Sequence, residues 1–156
     1  MRTSLWILSA LALQVSPAVG QTIDWDRVAN IQLAAVRMAE IHKESGFFGG
    51  FDEARKCYSS APGPERGYSK EVEFCMAQDY TGSHAAAGTY SKVSMEARRL
   101  SGSPDPEAVL QAMAERIRRV FATLKISEPE ARQFSILLKE HALNAYVQAR
   151  FPSQKP

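Results

Sequence analysis

Cysteine and histidine are scarce in this chain, two of the first and three of the second among 156 residues, and neither is spaced for redox or metal chemistry. Cys57 and Cys75 do not form the Cys-x-x-Cys motif that lowers a thiol pKa. Two thiolates alone cannot complete a structural zinc site. His42, His84 and His141 form no His-Glu-x-x-His helix. No Gly-x-Ser-x-Gly nucleophile turn occurs, so the closeness in sequence of Asp79, Ser83 and His84 does not amount to a hydrolytic triad, whose members must meet in space. Among the acids nothing selects a catalytic pair, and Glu71 and Glu73, two apart, point to different sides of a helix. On these absences the chain is expected to be non-catalytic, with no metal and no cofactor assigned.

An excess of one charge is lacking too. The formal net charge is +2, and acidic residues are interspersed with basic ones, whereas nucleic-acid binding requires a concentrated basic face. Arg116, Arg118 and Arg119 form the sharpest local concentration, next to Glu115, and read as a solvated helix face. Nucleic acid is not an expected partner. No apolar run after residue 20 approaches the roughly 20 residues needed to cross a bilayer. Alternating strand patterns, internal repeats and low-complexity segments are likewise missing.

What is present begins with an export signal. Arg2 gives a positive start, Leu5 to Val15 (LWILSALALQV) an apolar stretch, and Ser16 to Gly20 (SPAVG) small residues suited to cleavage before Gln21. Residues 1–20 are therefore expected to be a signal peptide and residues 21–156 a single secreted or periplasmic domain, soluble once the signal is removed.

The rest reads as helix, predicting an all-α fold: a small bundle of four to five helices. Val28, Ile31, Ala35 and Met38 recur at helical spacing between Asp24 and Glu44, with Asp24 or Asp26 as cap and Gly46 as a left-handed stop. A short helix is expected from about Asp52 to Ser60, ended by the prolines of Ala61 to Pro64 (APGP). A third follows from Ser69 to about Tyr80. The stretch from Ser83 to Leu100 is mixed, because alanines favour a helix that Gly82 and Gly88 disfavour. After Ser101 to Pro106, a stripe of Leu110, Met113, Ile117, Val120 and Leu124 predicts one helix, and a capping box at Ser127 and Glu130 opens another. Only a few residues join these last two, so they are expected to pack as an antiparallel pair.

In this setting the cysteines acquire a role. In an oxidising compartment Cys57 and Cys75, on successive helices joined by a Pro- and Gly-rich turn, are expected to form one disulfide that staples a helical hairpin. Closing a loop of about 18 residues stabilises by roughly 3 kcal/mol in the chain-entropy model.

Five further residues are candidate binding positions. His42 and His141 lie on apolar helix faces and would converge on a metal or anion if the first and last helices were neighbours; ordinary packed histidines are the simpler expectation. Phe47, Phe48 and Phe51 lie among glycines in Gly46 to Phe51 (GFFGGF), expected to be a loop. The rings either present a docking surface or fold back as a plug beneath the disulfide, and burial of apolar rings favours the plug. Together these features suggest a binding or structural module of the cell envelope, with an envelope protein as its partner class. The alternative is a small-ligand or metal binder using His42 and His141 or an aromatic groove near Phe47.

Overall fold

A computed structural model describes residues 23–152; the expected signal peptide lies outside them. Helices α1 (Arg27–Ser60), α2 (Lys70–Tyr90), α3 (Met95–Ser101), α4 (Pro106–Thr123), α5 (Glu128–Leu137) and α6 (Leu143–Arg150) follow in order, and no strand occurs among the described residues. The all-α bundle expected from periodicity is the fold. A 3₁₀ turn at Pro64–Arg66 follows α1, and a π turn at Leu138–Ala142 joins α5 to α6.

The caps are those the sequence offers. Asp26, Ser69, Asp105 and Ser127 each accept a backbone N–H from the first turn of α1, α2, α4 and α5, respectively. Ser94 does the same for α3. Pro106 opens α4, where its missing N–H costs nothing.

Two segments depart from expectation. Gly46 does break α1, but at φ 68° and ψ −171° it occupies a region open essentially to glycine alone, and the helix resumes at once. The Gly-Phe segment is therefore helical rather than a loop. Helix is tolerated there because Gly50 backs onto a side chain, a Cβ at that position falling 2.3 Å from His42 Nε2. Similarly, α2 continues through Gly82 and Gly88 to Tyr90. Gly82 lets Met38 approach, the sulfur lying 3.1 Å from where a Cβ would stand.

Helix α2 is the central element. It packs along α1, which forms the largest helix interface, and α4 packs on it too, while α6 packs on α1. The α1–α2 pair is the stapled hairpin. The two C-terminal helices meet more narrowly, with the Phe121 and Phe134 rings 6.0 Å apart edge to face, and each has its main backbone neighbour elsewhere. One apolar cluster gathers Ile31, Met76, Ile117, Phe134 and Leu138; a second gathers Ala35, Met38, Ile41 and Tyr146. The π turn re-phases the last helix between them, so that Leu138 and Ala142 serve the first cluster and Tyr146 the second.

Among the described residues no helix is long and apolar enough to cross a membrane.

Candidate functional site

The expected bond is present. Cys57 at the end of α1 joins Cys75 on α2, with their Cα atoms 5.4 Å apart across a sequence separation of 18. Replacing both cysteines by serine should lower unfolding stability by about 3 kcal/mol. Guanidinium denaturation of the two proteins checks this, and equal midpoints would remove the staple from any account of stability.

A cavity of about 590 Å³ opens between the end of α1 and α4, with Tyr58, next in sequence to Cys57, on its wall. Tyr58, Ala61, Val72, Val120 and Leu124 give it carbon walls, and Pro62 and Pro64 of the turn close one end. Val120 and Leu124 belong to the stripe read as core, but each is only half-buried against it. A second cavity of about 400 Å³, lined by Phe48, Phe51, Val109 and Ala112, adjoins it, because Arg55 and Arg116 line both. Together they form a trough about 20 Å long, judged from the 13 residues of α1 from Phe48 to Ser60 at helical rise.

Three arginines stand over this trough, Arg55 from α1 and Arg116 and Arg119 from α4. Arg116 is anchored by a bidentate pair to Asp79 (Nε to Oδ2 2.8 Å, Nη2 to Oδ1 2.6 Å). Asp79 is 1% exposed and also accepts from Tyr58 Oη and Ser83 Oγ, each at 3.2 Å. Burial, reinforced by that carboxylate, pushes the Tyr58 hydroxyl well above its usual range, so it stays a donor. Arg55 pairs with Asp52 on the surface. Arg119 has no ion-pair partner among the described residues.

The Gly-Phe segment divides between the two roles considered for it. Phe47 turns inward, its ring 4.7 Å from His42 and 5.6 Å from Tyr90. Phe48, 58% exposed, and Phe51 turn outward to the trough.

The histidines do not converge. His42 is 3% exposed, with Nδ1 2.8 Å from the Tyr146 hydroxyl and Nε2 without a hydrogen-bond partner among the described residues. His141, half-buried in the π turn, instead lines a separate groove with Gln32 and Val36. The His84 ring lies 4.2 Å from that of Tyr80, tilted by 43°, and neighbouring Ser83 donates to Asp79. No group of three or more His, Cys, Asp or Glu side chains among the described residues could hold a metal ion.

Burial, with the Arg150 charge second, lowers His42 to about 4. An unfolded imidazole titrates near 6.5, so on acidification the unfolded chain takes up this proton first. The His42 contribution is complete above about pH 6.5 and is lost as pH falls through 4, amounting to on the order of 3 kcal/mol. Burial lowers His84 as well, in the same sense. The difference between wild type and His42→Gln isolates the first group: the variant should show a flatter stability slope from pH 6.5 to 4, and parallel slopes would refute the assignment.

Helical periodicity assigns Arg119 to the solvated face of α4 and Val120 and Leu124 to its core stripe, and marks no site among them. The signal available was the position of Arg116 and Arg119 on the borders of the apolar stripe, facing a turn whose two prolines leave a concave end.

No protein-family model matches the chain, and no curated protein or solved structure matches it.

Proposed function

We propose that this is an exported, non-catalytic binding module of the cell envelope whose ligand site is the trough between the second half of α1 and α4. The observation that carries this reading is the pair of adjoining cavities that share Arg55 and Arg116, the larger of them walled by Tyr58, next in sequence to Cys57. Concave, mostly apolar clefts of several hundred Å³ with a few placed polar groups are the usual form of a small-molecule site. The disulfide suits this role, since it fixes the wall that carries Tyr58, and it is compatible with an oxidising compartment.

A non-catalytic role is supported by the state of the buried acids. Glu73 and Asp79 are both consumed in hydrogen bonds to arginine, tyrosine and other donors. Each of their four carboxylate oxygens already accepts two of these donors. A metal or anion held jointly by His42 and His141 has less support, because the two rings line no common cavity.

The test follows backbone amide resonances of the oxidised protein while a low-mass extract of its own cell envelope is added. Saturable shifts should concentrate in residues 48–64 and 109–124. Shifts centred on the His141 groove, no saturable shifts, or turnover of an extract component would overturn the reading.

A further inference from the structure

We propose that the trough takes one single-chain amphipathic monoanion, of the long-chain fatty-acid class, with its carboxylate at the arginines and its alkyl chain along Tyr58, Val72, Val120 and Leu124. This rests on the trough being the binding site.

Charge sets the headgroup. Of the three cations at the trough, Arg116 is neutralised by Asp79 and Arg55 by Asp52, leaving the charge of Arg119 uncompensated. One unit of positive charge matches a monoanion. The planar fork of an arginine is also suited to a carboxylate.

The walls set the tail. A peptide laid in the main cavity would bring an N–H and a C=O with every residue, and each costs free energy if buried without a partner. Pro62 and Pro64 have no N–H to offer, and away from the arginines the polar side chains on the lining are the hydroxyls of Tyr58, Ser59 and Thr123. Burial and Asp79 already commit the first of these. An alkyl chain makes no such demand and gains from every carbon it buries. At about 590 Å³, the main cavity is of a size for one such molecule, and the adjoining cavity beside Phe48 and Phe51 extends it.

Isothermal titration of the oxidised protein with hexadecanoate, octanoate and hexadecan-1-ol, all below their aggregation concentrations, tests this directly. Hexadecanoate should bind one to one, with the short acid and the neutral alcohol each weaker by about tenfold or more. Arg119→Gln should weaken hexadecanoate by about tenfold and leave the alcohol unchanged. Val120→Asp should abolish binding of both, with circular dichroism showing the fold retained; Thr123→Glu, at an exposed position on the same wall, provides a second variant should the first fail to fold.

Equal affinity for acid and alcohol, indifference to Arg119→Gln, or no saturable binding would overturn the ligand class. If envelope extract still shifts the trough resonances in that case, the site stands and only the ligand class falls. If hexadecanoate binds but its shifts map elsewhere, the site falls with it.

Discussion

Replacing Glu73 by alanine should remove about 3–5 kcal/mol of stability, the cost of breaking a buried ion pair from one side. Glu73 is fully buried on α2, yet its carboxylate has a donor for every direction. Trp25 Nε1 reaches Oε1 at 2.8 Å and Asn30 Nδ2 at 3.2 Å, while Arg27 Nε reaches Oε2 at 2.6 Å and Tyr68 Oη at 2.7 Å. Arg27 also donates to Tyr68 and lies over the rings of Tyr68 and Phe134. One carboxylate thus ties the segment before α1, the first turns of α1 and the entry to α2 into a single unit. Without it, a largely buried guanidinium and an indole N–H lose their acceptor, and each orphaned donor adds its own penalty. Glu73→Gln keeps the volume, but its amide nitrogen confronts donors rather than acceptors, so the loss should still exceed about 2 kcal/mol. Glu71→Ala, two residues earlier on the exposed side, should cost less than about 1 kcal/mol. Guanidinium midpoints with the disulfide intact make the comparison. Equal losses at 71 and 73 would mean that the network does not hold the fold.

That contrast between two neighbouring glutamates marks how far the sequence could be read. Helix caps at Ser69, Asp105 and Ser127, the break at Gly46 and the disulfide depend on local chemistry over a few residues or on compartment, and all were legible. The partners of Glu73 and Asp79 were not, because they lie 37 to 48 residues away for all but Tyr58, Tyr68 and Ser83. A clue did exist. Glu73 shares a face with Met76 and Ala77, and Asp79 with Met76 and Ser83, so each acid falls on the buried side of α2 and must find compensation there. Arg55 and Lys56, nearer to Asp79 in sequence than Arg116, pair instead with Asp52 and Glu53 at the surface. Arg116 is its partner because α4 crosses the same face of α2, a fact of topology that helical periodicity does not contain. The helical Gly-Phe segment was hidden for a related reason: glycine is unfavourable in a helix until a neighbour such as the His42 ring occupies the space a side chain would need.

The trough was hidden because its parts looked complete in isolation. An apolar stripe on α4 predicts a buried face, and the stripe does bury Met113 and Ile117. Whether Val120 and Leu124 are covered as well depends on how far the neighbouring helix extends. Here α1 ends at Ser60 and the chain turns away through two prolines, leaving the far end of the stripe as a wall instead of a core.

Asp79→Ala should cost about 3–5 kcal/mol, because the Arg116 guanidinium, held at two of its nitrogens, would lose its anchor while Tyr58 and Ser83 lose their acceptor. Asp79→Leu combined with Arg116→Met should behave differently. Removing both charges together leaves no uncompensated ion, and apolar substitutes for a buried pair are often neutral or stabilising, so the double variant should recover most of the loss. Urea denaturation of the two variants separates these cases; a double variant as unstable as the single one would show that the pair itself stabilises the fold. A recovered fold would mean that the pair is dispensable for stability, leaving its place on the trough as the reason to hold an arginine there. The same double variant then probes the ligand site without the confusion of unfolding. If Arg116 helps seat the carboxylate, hexadecanoate binding should weaken in the stable double variant by about tenfold, the effect of losing one charge-assisted hydrogen bond. Unchanged binding would assign Arg116 to the wall and leave Arg119 as the residue that holds the headgroup.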